Sequence, residues 1–188
     1  PVQAVYTRTI TSPRWGGRAT GRVGSSSYAV VAAADRGGGS VVLPGPQGSS
    51  FAPQEMGSLV GIARFRQGIG GSYAGALYTG RDVDGGGYSR VFGPDFLWRV
   101  SPRDRVSAQL LWSETLTPDR PDLAEEWNGQ RLSGHGLEVS WTHRERRPVF
   151  SLRYRDFADG FRADTGFVPR VGYRETFALA GWNLYPEG

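Results

Sequence analysis

Apolar and polar residues alternate along most of this chain, in segments of about ten residues. In the clearest one, His135–His143, Leu137, Val139 and Trp141 share one face, with polar or small residues between them. The same alternation recurs in Ser58–Gln67, Ser89–Val100, Val106–Thr115 and Val149–Phe157. Because successive side chains of a strand point to opposite faces, each segment is predicted to be a β-strand. Runs of about ten residues match tilted membrane strands better than the five or six typical of soluble sheets.

Five further segments give weaker strand signals, although Arg18–Val23 among them alternates cleanly. They are Val5–Ile10, Arg18–Val23, Ser27–Ala34, Gly71–Arg81 and Tyr173–Tyr185. The last two can be read in either of two registers, so the sequence leaves open which of their residues share a face. Together with the five clear segments they predict about ten strands in chain order.

The connections between these segments switch between short and longer. The short ones lie near Gly24–Ser26, Gly68–Gly70, Ser101–Asp104 and Arg144–Arg147. The longer ones lie near Thr11–Gly17, Asp35–Gly57, Asp82–Gly87, Thr117–Ser133 and Ala158–Gly172. Outer-membrane barrels have tight periplasmic turns and larger external loops. The pattern therefore predicts an all-β, antiparallel up-and-down (meander) membrane β-barrel in one domain over residues 1–188. The barrel is either complete or part of a larger one, and its first strand starts in the periplasm.

The charged and aromatic residues of these segments follow the two faces. An arginine that faces lipid at mid-bilayer costs about 2–4 kcal/mol, so charged strand residues are expected to face the lumen. These residues are Arg64, Arg66, Asp95, Arg99, Glu138, Arg153 and Arg155. Amphipathic rings collect at membrane interfaces, and five aromatic residues lie at predicted periplasmic strand ends. They are Phe65, Trp98, Trp141, Phe150 and Trp182. The alternative interpretation places these rings in the core of a soluble sheet.

Composition narrows the class of protein. The chain has 188 residues, of which 28 are Gly and 23 are aromatic, as suits strands and turns. It has no cysteine, which excludes disulfides and thiolate metal sites. All 22 basic residues are arginine and the net charge is +4, but the arginines are dispersed along the chain. A phosphate-tracking surface would cluster them, so nucleic acid is not a predicted partner.

Candidate catalytic chemistry is sparse. His135 and His143 lie about 27 Å apart if both are on one strand, too far to hold one metal ion. Ser133 beside His135 could form a nucleophile and base only with a third residue to orient the histidine. We predict no catalytic, cofactor-binding or metal-binding residue, and keep a barrel-embedded hydrolase as the least favoured alternative.

Two acidic segments are better explained as turns or solvated loops. Asp82 and Asp84 precede three glycines but offer too few oxygen ligands for a calcium loop. The second segment carries Asp119, Asp122, Glu125 and Glu126. Divalent ions near lipopolysaccharide are the alternative ligand for it, but isolated acidic clusters are usually solvated.

Five runs of the sequence stand out as possible family motifs. In chain order they are VYTRTI, GGRATGR, ARFRQGIGGSYAGALYTGRD, RVFGPDF and RDFADGFRADTGFVPRVGYRE. Their order and spacing resemble a bacterial family of outer-membrane barrel domains of unknown function. The family has a GAKLTGK-like run with Lys at the position of Arg18, which keeps the charge. In that family the barrel usually follows a carbohydrate-binding module of the family 9 type. The family barrel is longer, and this chain ends Pro186-Glu187-Gly188 where such barrels commonly end on an aromatic residue, so a fragment is expected.

The sequence thus predicts an outer-membrane barrel region of a Gram-negative bacterium, without catalysis of its own. Its expected role, which the resemblance implies, is to anchor or give passage to a periplasmic carbohydrate-associated module. Its expected partners are outer-membrane lipid and, through that upstream module, carbohydrate. The alternative from another class is a soluble all-β binding domain.

Overall fold

The structure, a computed structural model, describes residues 5, 9–38, 40–123, 126–168 and 170–185. These residues form eleven β-strands, a short 3-10 turn at Pro121–Leu123 and no α-helix, and none of their helical segments is long and apolar enough to cross a membrane. The strands are β1 (Pro13–Val23), β2 (Ser26–Asp35), β3 (Ser40–Pro44), β4 (Ser49–Pro53), β5 (Ser58–Ile69), β6 (Ser72–Val83), β7 (Tyr88–Arg99), β8 (Asp104–Leu116), β9 (Arg131–Arg144), β10 (Pro148–Phe157) and β11 (Tyr173–Trp182).

Nine of the strands form one sheet in the order β1-β2-β5-β6-β7-β8-β9-β10-β11. Every neighbouring pair in this sheet is antiparallel. The all-β antiparallel meander predicted from the alternation is therefore confirmed. The connections at one end, here called the short-turn end, have two to four residues. Those at the other end, the long-loop end, include 36–57, 117–130 and 158–172.

A barrel closed on itself is not seen. Within the described residues, β1 pairs only with β2 and β11 pairs only with β10, so the sheet has two free edges. The sheet has nine strands where the sequence predicts about ten. Residues 6–8 of the remaining predicted strand, Val5–Ile10, fall outside the described residues. Of its described residues, Thr9 is buried, and Val5 and Ile10 are partly buried and pack against the core.

The connection between β2 and β5 holds structure that the alternation does not predict. It contains the antiparallel hairpin β3–β4, a separate two-stranded sheet closed by a tight turn from Gly45 to Gly48. Each strand has only five residues and both are flanked by Gly and Pro. Alternation over so short a run is too weak to be recognised, so the sequence indicates only a long loop.

The core shows that the large sheet curves around one of its faces. The buried cluster includes Val60, Leu77, Val91, Leu111 and Phe157, which come from five different strands of the sheet. On a flat sheet these five residues would be spread across its width and would not share one cluster. The face that carries them, here called the inner face, is therefore concave. The same cluster takes Phe161, Ala163, Val168 and Val171 from the 158–172 connection. That connection folds back against the sheet and fills the inner face near the long-loop end.

Candidate functional site: a charge-free outer face and an arginine-lined inner face

The register places the seven predicted lumen-facing residues on the inner face. On β5, Arg64 is four residues after Val60 and two after Ile62, so it lies on the same face as these buried residues. On β7, Asp95 is four residues after the buried Val91 and shares its face. Residues that share a row across the sheet share a face, so the face of the others follows from cross-strand pairing. One row pairs, in order, Arg22, Ser27, Arg66, Gly75, Asp95, Gln109, Glu138, Arg155 and Glu175. Arg99 and Arg153 lie in adjacent rows of the same face.

Three ion pairs use the acidic residues of the inner face. Arg64 Nη2 lies 2.5 Å from Asp95 Oδ2, and Arg155 Nε lies 2.8 Å from Glu138 Oε2. Arg153 Nη2 lies 3.5 Å from Glu175 Oε1. Because Asp95 and Glu138 are buried, their charges require partners of this kind. The predicted inward carboxylates thus hold inward arginines on neighbouring strands.

At the long-loop end, Arg162 joins two connections to the sheet. Its side chain is buried, and its Nη2 lies 2.6 Å from Oε1 of Glu126, which belongs to the 117–130 connection. Its Nη1 also donates to the carbonyls of Asp159 and Phe161, and its backbone N–H donates to Ser113 Oγ on β8 at 3.0 Å. Arg162 is therefore one of the residues that hold 158–172 against the sheet. Nothing in the sequence marks Arg162 as special, although the apolar residues around it are unusual for an external loop.

A second charged group in this connection is Asp164. Burial raises the pKa of its carboxyl above the ordinary value, and the positive charges of Arg81 and Arg162 only partly oppose that rise. Arg81 itself is buried and donates from Nε to Ser58 Oγ at 3.0 Å. Asp164 and Arg81 lie beside each other between β6 and the 158–172 connection.

The raised pKa gives Asp164 a pH-dependent cost. As the pH rises above about 4, the Asp164 carboxyl loses its proton in the unfolded chain before it does so in the folded chain. The free energy of unfolding therefore falls with rising pH until the pH passes the pKa of Asp164 in the folded protein. We expect the melting temperature of Asp164→Asn, relative to the unmodified protein, to rise as the pH is brought from about 4 to neutrality. Thermal melts at several pH values measure this. The exposed Asp119→Asn is the control, and a flat difference for Asp164→Asn would show that burial does not control this carboxyl.

The outer face of the large sheet carries no charged residue between its two ends. On β8 the outward residues between Asp104 and Glu114 are Val106, Ala108, Leu110 and Trp112. Ten residues span about 33 Å along a strand, or a height of about 25 Å at a barrel-like tilt of about 40°. The charged and histidine residues of this face lie at the ends of that span. They are Asp82, Arg90, Glu114, Arg131, His135, Asp156 and Arg174 at the long-loop end, and Asp104 and His143 at the short-turn end.

Aromatic rings line both borders of this charge-free belt. The five predicted interfacial residues, Phe65, Trp98, Trp141, Phe150 and Trp182, are all exposed on the outer face towards the short-turn end. Trp141 turns its indole N–H to Asp104 Oδ1 at 3.2 Å, which leaves the rest of the ring on the apolar side. A second band, which was not predicted from the sequence, lies towards the long-loop end. It consists of Trp15, Tyr78, Phe92 and Trp112.

The two histidines lie at opposite ends of the outer face. His143 Nδ1 is 2.9 Å from Asp104 Oδ1, and His135 Nε2 is 3.5 Å from Asp156 Oδ1. Ser133 shares the face of His135, but in the described part of the chain no hydrogen bond joins the two. The described residues also contain no cluster of three or more potential metal-ligating side chains. His135 thus contacts one strand-end carboxylate, whereas His143 contacts Asp104 and, at 3.9 Å, Glu145 of the following turn.

The acidic segments make structural contacts. Asp82 forms an ion pair with Arg90, and Asp84 enters a turn in which Gly85, Gly86 and Gly87 all have positive φ. Arg120 donates to both carboxylate oxygens of Asp122, at 2.7 and 2.5 Å. These hydrogen bonds hold the pKa of Asp122 below its ordinary value.

The remaining members of the second acidic segment are Asp119, Glu125 and Glu126. The carboxylate of Glu126 forms an ion pair with Arg162. The backbone of Asp119 forms a β-bridge with Asn128 across the loop, and Glu125 lies outside the described residues. Arginine therefore occupies two of the four carboxylates of this segment, those of Asp122 and Glu126.

The arrangement as a whole is a curved sheet with an uncharged, aromatic-bordered outer face and a charged inner face. Its inner face is filled at one end by its own connection and lined with arginine towards the other. Known proteins add nothing to this description, since no family model, curated protein or solved structure matches the chain.

Proposed function

We propose that this chain is the lipid-embedded barrel region of a Gram-negative outer-membrane protein and that it anchors a periplasmic carbohydrate-associated module. The observation that carries the proposal is the charge-free belt of the outer face. Its height of about 25 Å equals that of the apolar band of outer-membrane barrels. Aromatic bands at both borders are the second feature of such proteins.

The exposure of large apolar side chains supports a lipid partner for this belt. Trp98 is 58% exposed, Phe92 50% and Phe65 48%, and each neighbours further apolar residues on the same face. Water-soluble monomers rarely expose a continuous apolar surface of this extent. Lipid removes the cost because its chains solvate the belt, while the charged rims reach the aqueous headgroup regions on both sides.

The filled inner face favours an anchor over a passage. Phe161 and Val171 are almost completely buried between the 158–172 connection and the sheet, where a channel would need water. The resemblance of the sequence motifs to the barrel family supports the further step, in which the anchored partner is a carbohydrate-associated module. In this orientation the short-turn end faces the periplasm.

Depth-dependent quenching of tryptophan fluorescence tests the lipid-facing belt. Variants that keep one tryptophan each, Trp112, Trp141 or Trp127, are reconstituted into vesicles with lipids brominated at defined chain positions. Trp112 and Trp141 lie on the outer face, and we expect strong quenching of both. Trp127 is the matched control because it is only 7% exposed and packs between connections at the long-loop end.

The soluble alternative gives the opposite result. If the domain is monodisperse in plain buffer, or if Trp112 and Trp141 are quenched no more than Trp127, then the belt does not contact lipid. The outer face would then cover another protein surface, as in a soluble all-β binding domain.

A further inference from the structure

Three arginines of the inner face form a group at the short-turn end. Arg66 lies on β5, Arg99 at the end of β7 and Arg105 near the start of β8. We call Arg66, Arg99 and Arg105 the rim arginines. Their side chains are exposed, so a ligand can reach them from solvent.

No carboxylate neutralises the rim arginines within the described part of the chain. The acidic residues of the inner face in this half, Asp95, Glu138 and Glu175, are held by Arg64, Arg155 and Arg153. The short-turn carboxylates Asp104 and Glu145 contact His143 and Arg103. The three positive charges of the rim are therefore not balanced by neighbouring side chains.

Two of the rim arginines, Arg66 and Arg99, converge on one short stretch of β6 and its turn. The guanidinium carbon of Arg66 lies 4.5 Å from the centre of the Tyr73 ring. Arg99 crosses to the turn, where a Cβ atom on Gly71 would lie 3.4 Å from its Nε and Nη1. Gly71 thus gives Arg99 room, and two guanidinium groups approach positions only two residues apart. Arg105 completes the group because it pairs directly opposite Arg99 across β7 and β8.

This placement is unfavourable without a counter-charge. Like charges directly opposite each other on neighbouring strands destabilise a sheet. A bound anion would turn the repulsion between the guanidinium groups into a net attraction, because each group donates paired hydrogen bonds to the oxygens of phosphate. Two or three of them around one ligand match a group with several negative oxygens.

We propose that the rim arginines bind the phosphate groups of a water-soluble phosphorylated ligand, at the end of the inner face that Tyr73 and Gly71 border. The inner face is turned away from the outer-face belt, which favours a soluble ligand over a lipid headgroup. The site does not rest on the lipid-facing role, because it is built entirely on the opposite face of the sheet. Its test therefore succeeds or fails independently of tryptophan quenching.

Calorimetric titration of the purified chain with sodium pyrophosphate, in phosphate-free buffer, measures the site. We expect Arg66→Gln, Arg99→Gln and Arg105→Gln each to weaken binding about tenfold, as loss of one charge-assisted contact implies. Arg99→Lys should fall between the unmodified protein and Arg99→Gln, because it keeps the charge but not the paired hydrogen bonds. Arg174→Gln is the matched control, since Arg174 is exposed at the opposite end.

Melting temperatures give a second readout that does not depend on heats of binding. Without pyrophosphate, Arg105→Gln should melt above the unmodified protein, because one of two opposed charges is gone. With pyrophosphate, the unmodified protein should gain more than the variant. Three results would overturn the proposal: no binding by the unmodified protein, equal weakening by Arg174→Gln, or binding of short-chain phosphatidate micelles but not of pyrophosphate.

Discussion

Replacing Phe161 with alanine is expected to lower the free energy of unfolding by about 3–5 kcal/mol, the usual cost of removing a buried phenylalanine. Phe161 is fully buried, and its ring meets that of Phe157 edge-on with 5.6 Å between centroids. It is the largest fully buried side chain of the 158–172 connection. Denaturant unfolding, followed by tryptophan fluorescence, measures the change.

Phe51→Ala provides the matched control for this prediction. Phe51 lies on β4 and is 63% exposed, so its loss should change the free energy of unfolding by no more than about 0.5 kcal/mol. Equal effects of the two substitutions would mean that the 158–172 connection does not fill the inner face in solution.

An arginine in place of Val139 should destabilise the protein in lipid by about 2–4 kcal/mol, because this position lies in the middle of the charge-free belt. Val139 pairs with Ala108 on one side and Tyr154 on the other, and all three point outward. Val139→Phe should be nearly neutral, since lipid chains accommodate a larger apolar side chain. Unfolding in lipid vesicles, with the three proteins compared side by side, measures both effects.

Comparison with Val60→Phe distinguishes an apolar side chain that faces lipid from one that packs against protein. Val60 is 1% exposed in the core of the inner face, where a larger ring should cost about 1–3 kcal/mol by overpacking. The lipid-facing assignment requires phenylalanine to be harmful at Val60 and harmless at Val139. Equal harm at both positions would show that protein covers the outer face.

The strands were the most predictable part of this fold. Alternation in Val106–Thr115 predicts β8, which extends it by only a residue or two at each end. The signal is strong there because one side of the strand meets apolar surroundings and the other does not. The two ambiguous segments, Gly71–Arg81 and Tyr173–Tyr185, could be placed on faces only by cross-strand pairing, which a single strand does not contain.

The path of the long connections could not be predicted from local pattern. The sequence indicates an external loop at Ala158–Gly172, whereas the structure folds these residues back onto the inner face. Loop length is a local property, but the position of Phe161 depends on contacts with Gly134 and Gly136, more than twenty residues earlier. In the same way, the partners of Arg162 become visible only once Glu126 and Ser113 are brought close in space.

The odd number of strands in the large sheet determines the relative direction of its two edge strands. Neighbours alternate in direction, so β1 and β11, the first and ninth strands, both run from the long-loop end to the short-turn end. If these two edges met, they would form the sole parallel pair among the described strands of this sheet. A ring of purely antiparallel neighbours requires an even count, so a single strand that bridges both edges antiparallel must run from the short-turn end to the long-loop end. Direction alone thus determines which peptides can complete the ring and which can only extend an edge.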